Sequence, residues 1–274
     1  MSATNFDLVS TTRRDPQLLR VEWNTAANSG ATSPYLLLAY HHDRLRDAAE
    51  HHNWSVPQDF SVSKLEDLCG AALTNARVGS RDLVANDLAS DEHYRIRILL
   101  SAGGFLSVTA SRTLPIPIPD PLAPSLWLPT APSPDPPDFG LALLAIHLDT
   151  IATPSSVFTR TKTTHRDHYN AARSRFGIPP PPSPSSDEVL LFNENDDITE
   201  TSIRNVAFAR RSPLRWVTPA SSTGCLPGVV RRWLLEHGRI VEANESELQK
   251  DGIVKGEYVL TFNGVEGCRL GQIQ

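Results

Sequence analysis

The chain switches several times between helical and alternating patterns of hydrophobic and polar positions. Across residues 35–50, apolar Leu37, Leu38, Leu45, Ala48 and Ala49 recur at helical spacing and predict an amphipathic helix. Ser63-Lys64-Leu65-Glu66 has capping-box spacing, so a second helix is predicted to be capped by Ser63. Residues 6–10 and 18–23 read as two short strands on either side of Arg13-Arg14-Asp15-Pro16. Residues 94–101 and 105–110, separated by Gly103-Gly104, predict a hairpin. Further on, a helix is predicted over 166–176, a strand over 189–192, a helix over 229–236 after Pro227, and a final strand over 258–262. Helices and strands interleave, and the fold class expected is α/β (α+β).

Proline breaks this pattern twice. Between residues 114 and 138 ten prolines crowd together, among them Pro115, Pro117, Pro119, Pro132 and Pro134. Proline lacks the N–H that a sheet ladder needs and fixes φ, so this stretch reads as an extended connector. The expected organisation is an N-terminal α/β domain over 1–113, a connector over 114–138 and a C-terminal domain over 139–274. A second cluster, residues 179–184, reads as a surface loop.

Composition narrows the function classes. The formal charge of −5 and the scattered Lys and Arg residues give no nucleic-acid footprint. No stretch approaches the roughly 20 apolar residues of a membrane helix. The first residues lack the basic start and apolar run of a secretory signal. Cys69, Cys225 and Cys268 have no metal-type spacing, and their odd number fits a reducing compartment, so a cytoplasmic protein is expected. The pairs His41-His42 and His51-His52 have no carboxylate or cysteine partner at ligand spacing, and no metal is expected.

Four segments carry candidate chemistry: Lys162-Thr163-Thr164-His165-Arg166 with Tyr169, Glu200 followed five residues later by Asn205, Leu226-Pro227-Gly228-Val229-Val230-Arg231, and Leu260-Thr261-Phe262-Asn263-Gly264. Each alone has an ordinary structural explanation. A lone lysine is usually solvated, a Pro-Gly pair starts many helices, and Asn-Gly is a hairpin signal. Together, their order and separations resemble the fold-type IV (class IV) pyridoxal-phosphate enzymes, and the Lys-Thr-Thr-x-Arg-x-x-Tyr context is most similar to aminodeoxychorismate lyases of the fungal type. His41-x-x-Arg44-Leu45 resembles an arginine-bearing helix of the same family.

The resemblance implies two domains with pyridoxal 5'-phosphate in the cleft between them, and a homodimer. Lys162 would hold the cofactor aldehyde as a Schiff base and act as general base. Glu200 would face the pyridine nitrogen, with Asn205 beside it. Gly228, Val229, Val230, Asn263 and Arg44 would serve the phosphate, position 230 through its backbone N–H alone because it is valine. Arg97 would meet a carboxylate of the substrate, with Arg13 or Arg14 as further candidates. Tyr169 is expected to pack against the lysine strand. Branched-chain aminotransferases place a tyrosine five residues after the lysine, where this chain has Asp167. The implied activity is conversion of 4-amino-4-deoxychorismate, a small dicarboxylate, to 4-aminobenzoate and pyruvate for folate synthesis. The alternatives are an aminotransferase of the same fold, acting on D-amino acids, branched-chain amino acids or (R)-amines, and a non-catalytic cofactor-binding or scaffold protein.

Overall fold

The structure, a computed structural model, describes residues 6–79, 93–130 and 135–274. Residues 1–5 and the part of the proline run that holds Pro132 and Pro134 lie outside the described residues. The chain divides into two compact units, one formed by Met1–Pro119 and Thr161–His165, the other by Asp120–Arg160 and Arg166–Gln274.

The first unit is a three-stranded antiparallel sheet with helices packed on it. Its elements are β1 (Leu8–Arg14), α1 (Glu22–Ala27), α2 (Leu38–His51), α3 (Val62–Gly79), β2 (Tyr94–Leu100) and β3 (Leu106–Arg112), with strand order β1-β2-β3. Along β2 the buried positions are Tyr94, Ile96, Ile98 and Leu100, while Arg95 and Arg97 lie on the other face. The buried row packs with Leu45 and Ala49 of α2 and Leu65, Cys69 and Leu73 of α3 into one core. The expected hairpin is β2–β3, in register from Tyr94↔Arg112 to Leu100↔Leu106.

Three local expectations are corrected. Residues 6–24 hold one strand, β1, followed by a 3-10 turn at Pro16–Arg20 and then α1. Asp15 stops the strand, because its carboxylate accepts the Gln17 N–H (3.1 Å) and the Ile116 N–H (2.9 Å). The N-terminus of α3 is served by Ser61 and not by Ser63: the Ser61 Oγ accepts the Lys64 N–H at 3.2 Å. The helix expected to begin at 35 begins at Leu38, because Leu37 sits in the left-handed region at φ 53°.

The second unit is built on an eight-stranded mixed sheet. Its strands are β4 (Leu144–Leu148), β5 (Asp187–Phe192), β6 (Ile198–Thr201), β7 (Asn205–Arg211), β8 (Leu214–Thr218), β9 (Val241–Glu242), β10 (Tyr258–Asn263) and β11 (Gly267–Ile273). They run in the order β6-β5-β4-β11-β10-β7-β8-β9. The pairs β4–β11, β4–β5 and β8–β9 are parallel. The helices are α4 (Val157–Arg160), α5 (Asp167–Arg175) and α6 (Val229–Glu236). α6 lays Val229, Val230, Trp233 and Leu234 inward, the periodicity that marked it in the sequence. The strand expected to be last, β10, is followed by β11 through the Asn263-Gly264 turn.

The proline run is anchored where it is described. In the first unit the Leu114 carbonyl accepts from Arg13 at 2.6 Å and the Ile118 carbonyl accepts from Gln17. In the second, the Pro121 carbonyl accepts the Cys268 N–H at 2.8 Å and the Trp127 carbonyl accepts the Trp216 indole N–H at 2.8 Å. Proline cannot donate, and these carbonyls pin the run together with the Ile116 N–H that Asp15 accepts.

Gly267 shows how tightly this packing is set. Its φ is +73°, and a Cβ there would overlap the Pro121 carbonyl oxygen. Gly267→Ala is expected to cost about 1–2 kcal/mol from the left-handed backbone alone, with the overlap adding to it. Thermal unfolding should show a midpoint several degrees lower; an unchanged midpoint would mean that the Pro121 segment moves aside freely.

Candidate active site

The site residues expected from the sequence fall into two groups, one in each unit. In the first unit, α2 turns His41 and Arg44 toward Ser10 of β1. Arg44 donates from one terminal nitrogen to the Ser10 Oγ at 2.7 Å, and the Ser10 hydroxyl lies 2.7 Å from the His41 Nδ1. Arginine can only donate, and the serine oxygen can accept from it while either donating to or accepting from His41 Nδ1. Burial holds His41 well below the usual histidine value, and the charges of Arg44 and Lys162 act in the same direction. The Arg44 guanidinium is pulled down to about 10 by burial, and its Nε is buried with no hydrogen-bond partner. It remains a cation at neutral pH, with a donor unsatisfied.

The lysine segment lies along the outer edge of β1. Thr163 bridges Leu8 in antiparallel fashion, the Val9 N–H donates to the Lys162 carbonyl at 2.8 Å, and the Thr164 N–H donates to the Asp7 carbonyl at 2.8 Å. Thr163 therefore shares the core face with Leu8, and Lys162 takes the opposite face beside Val9. Val9 pairs with Leu99 and Thr11 with Arg97, so Arg97 projects from the same face as Lys162. On the core side, Thr161 is held by the His52 Nε2 at 2.8 Å.

In the second unit, Glu200 of β6 is 4% exposed. Its Oε1 accepts the Tyr169 hydroxyl at 2.6 Å and the Leu226 N–H at 3.3 Å. Tyr169 does pack, with Ala172, Ile178, Val189 and Leu191, and α5 also delivers its hydroxyl onto the carboxylate. Burial and the neighbouring Glu200 raise the Tyr169 phenol well above its ordinary value, so it is a donor throughout the working range. Arg166 at the start of α5 lies 4.8 Å from the centre of the Tyr169 ring and donates to the Ser202 carbonyl at 2.8 Å. Arg173, two turns on, reaches Ser202 Oγ (2.7 Å) and Glu188 (3.1 Å), which pins the end of β6. Glu200, Tyr169, Thr153, Thr159, Thr199 and Thr223 are among the residues lining a polar recess of about 10 Å³, room for a single water.

Asn205, the first residue of β7, fixes the loop before α6. Its Nδ2 donates to the Leu226 carbonyl at 2.8 Å, and a Cβ on Gly228 would overlap its Oδ1. Glycine is needed there because the backbone passes directly over the amide. Gly228 stands at the N-cap of α6 and supplies no side-chain cap, so the first N–H groups of the helix, those of Val229 and Val230, are left for an outside acceptor. Asn263 lies one residue beyond Phe262, which pairs with Asn205. Its Oδ1 accepts the Val265 and Glu266 N–H groups, both at 2.9 Å, and Arg204 ties down Glu266. Its oxygen is thus spent on its own turn, which leaves the amide NH₂ as the group able to serve a ligand.

Residues 26–270 match the family model described as amino-transferase class IV. The chain belongs to the class IV aminotransferase family. The aminodeoxychorismate lyase of Saccharomyces cerevisiae is 30% identical over 265 residues, covering 88% of this chain and 68% of that protein. Among solved structures, a candidate 4-amino-4-deoxychorismate lyase from Legionella pneumophila superposes with a TM-score of 0.63 at 16% identity, over 97% of this chain and 82% of that one. The branched-chain amino acid aminotransferase from Escherichia coli gives 0.59 at 14% identity, over 98% and 77%. Both share the fold, which is that of the fold-type IV enzymes.

Enzymes of the class IV family depend on pyridoxal phosphate, and the residues present fit that group. In the first unit an anion would satisfy the stranded Arg44 Nε. In the second, the uncapped N-terminus of α6 suits a phosphate. A buried carboxylate suits a protonated pyridine nitrogen. Among the described residues no His, Cys, Asp and Glu cluster could hold a metal, and no helix is long and apolar enough to cross a membrane.

His41 generates a prediction with a definite sign. Below about 6.5 the unfolded chain binds a proton at this position and the folded chain does not. Its contribution is therefore fully present above that pH and is lost as pH falls, by up to about 1.4 kcal/mol per unit. Denaturant unfolding of the parent and of His41→Gln between pH 7.5 and 5 (~2.5 units, enough to cross that value) should give a steeper acid loss in the parent. Parallel slopes would show that His41 titrates as it does in the unfolded chain.

Proposed function

We propose that this protein is a pyridoxal-phosphate-dependent lyase that converts 4-amino-4-deoxychorismate to 4-aminobenzoate and pyruvate. The observation that carries the reading is the likeness to the yeast aminodeoxychorismate lyase along 88% of this chain. The Lys162-Thr163-Thr164-His165-Arg166 segment with Tyr169 supports it.

When bound, the cofactor supplies an electron sink for the pair released at the amine-bearing carbon of the substrate. Lys162 would anchor it, and Lys162 Nζ, once displaced by the substrate amine, would remove the proton from that carbon. Glu200 keeps a proton on the ring nitrogen. Arg44, the Val229 and Val230 N–H groups and the Asn263 amide would hold the phosphate, with Asn205 and Gly228 setting the loop. Arg97, on the Lys162 face of its sheet, binds a substrate carboxylate. Loss of the enolpyruvyl ether then leaves an aromatic amine, and aromatisation drives the step forward.

Purified enzyme supplied with cofactor should absorb near the visible edge, and Lys162→Ala should lose that band together with release of 4-aminobenzoate and pyruvate. Amino transfer to a keto acid without 4-aminobenzoate release would assign the chain to the aminotransferases instead. No band in the parent would remove the catalytic reading altogether.

A further inference from the structure

We propose that Tyr169 is a positioning residue that holds Glu200 as an ionised acceptor, and so keeps the shared proton on the ring nitrogen of the cofactor rather than on the carboxylate. The inference rests on the reading that this site takes pyridoxal phosphate, and deepens it.

The geometry carries the argument. A carboxylate facing a ring nitrogen has two places for the proton between them, and the partition depends on how well the carboxylate anion is stabilised. Glu200 is buried, which by itself favours its neutral, protonated form. The opposing contribution includes two donors that converge on one oxygen, Oε1: the Tyr169 hydroxyl at 2.6 Å and the Leu226 N–H at 3.3 Å. The first is the shorter and better of the two, and a hydroxyl donor stabilises a carboxylate anion far more than a neutral acid. The recess beside the pair has room for one water, so solvent cannot supply equivalent stabilisation in bulk.

The surroundings of the phenol reinforce this. Arg166 places its guanidinium 4.8 Å from the Tyr169 ring centre, which makes the hydroxyl a stronger donor. Titratable groups around the pair include Arg166 at the start of α5, His168 and Arg173 on α5, Glu188 on β5 and the Cys225 thiol on the loop before α6. Arg173 and Glu188 neutralise one another at 3.1 Å. Cys225 is pushed up to about 11 by burial and stays a neutral thiol. Arg166 adds a positive charge beside the pair, and that charge favours the ionised carboxylate. The arginine and tyrosine of the Lys-Thr-Thr-x-Arg-x-x-Tyr segment then have one shared task.

Tyr169→Phe keeps the ring and its packing and removes only the donor. The decisive measurement is the ¹⁵N resonance of cofactor labelled at the ring nitrogen, bound to the parent and to the variant. The parent should show the protonated-nitrogen shift, and the variant should move toward the unprotonated one, with kcat down about tenfold and KM nearly unchanged. An identical ¹⁵N shift in both proteins overturns the inference while leaving the cofactor assignment intact. A parent that binds no labelled cofactor overturns the assignment itself, and the inference with it. Tyr169→His, which restores a donor on a ring, should return the resonance part of the way; a His variant indistinguishable from Phe overturns the donor role.

Discussion

Taking a carboxylate almost wholly out of water costs several kcal/mol unless the protein replaces what water provided. Glu200 sets that requirement, and much of the second unit is arranged to meet it. α5 brings the Tyr169 hydroxyl to it and the loop before α6 brings the Leu226 N–H. Those two elements must themselves be held. Arg166 and Arg173 fasten α5 to Ser202 at the end of β6, and Asn205 fastens the loop through the Leu226 carbonyl. The same loop places Gly228 at the head of α6. A single buried acid therefore fixes the position of a helix and of the uncapped start of α6, because each group that neutralises its burial is anchored to the backbone around it.

Legibility in the sequence followed the range of the interaction. α6 was readable because Pro227 and the spacing of Val229, Val230, Trp233 and Leu234 are local signals. The β2–β3 hairpin was readable for the same reason. β1 was misread because six of its seven positions are buried although Ser10, Thr11 and Thr12 are polar. Those polar side chains are buried against specific partners, such as His41 for Ser10 and the Leu36 carbonyl for Thr12. No alternation of apolar and polar residues can announce such a strand. β11 was missed because Gly267, Arg269, Gly271 and Gln272 dilute its apolar pattern. Gly271 is required there by the close approach of Ile146 on the neighbouring strand.

Among the candidate residues, Lys162, Glu200, Asn205 and Gly228 were singled out through the family's motif spacing and through nothing more elementary. The partner of Tyr169 was not, since a tyrosine on a helix gives no sign of a carboxylate 31 residues away. The Arg166–Tyr169 spacing did hold a local signal, as it puts the two side chains on one side of α5. The arginine's position over the ring is what that spacing produces. Ser10 was missed likewise, although its hydroxyl lies against both His41 and Arg44.

Thr161–His165 belongs to the first unit although the residues before and after it belong to the second. Its backbone closes the free edge of β1, the edge where the Val9 N–H and the Asp7 carbonyl find their partners. During synthesis that edge emerges first and waits about 150 residues for its cover to be made, exposed to any other strand in reach. The strip of chain that carries Lys162 is thus also the guard rail of the amino-terminal sheet. A nascent or truncated chain that stops short of it leaves a sticky β-edge behind.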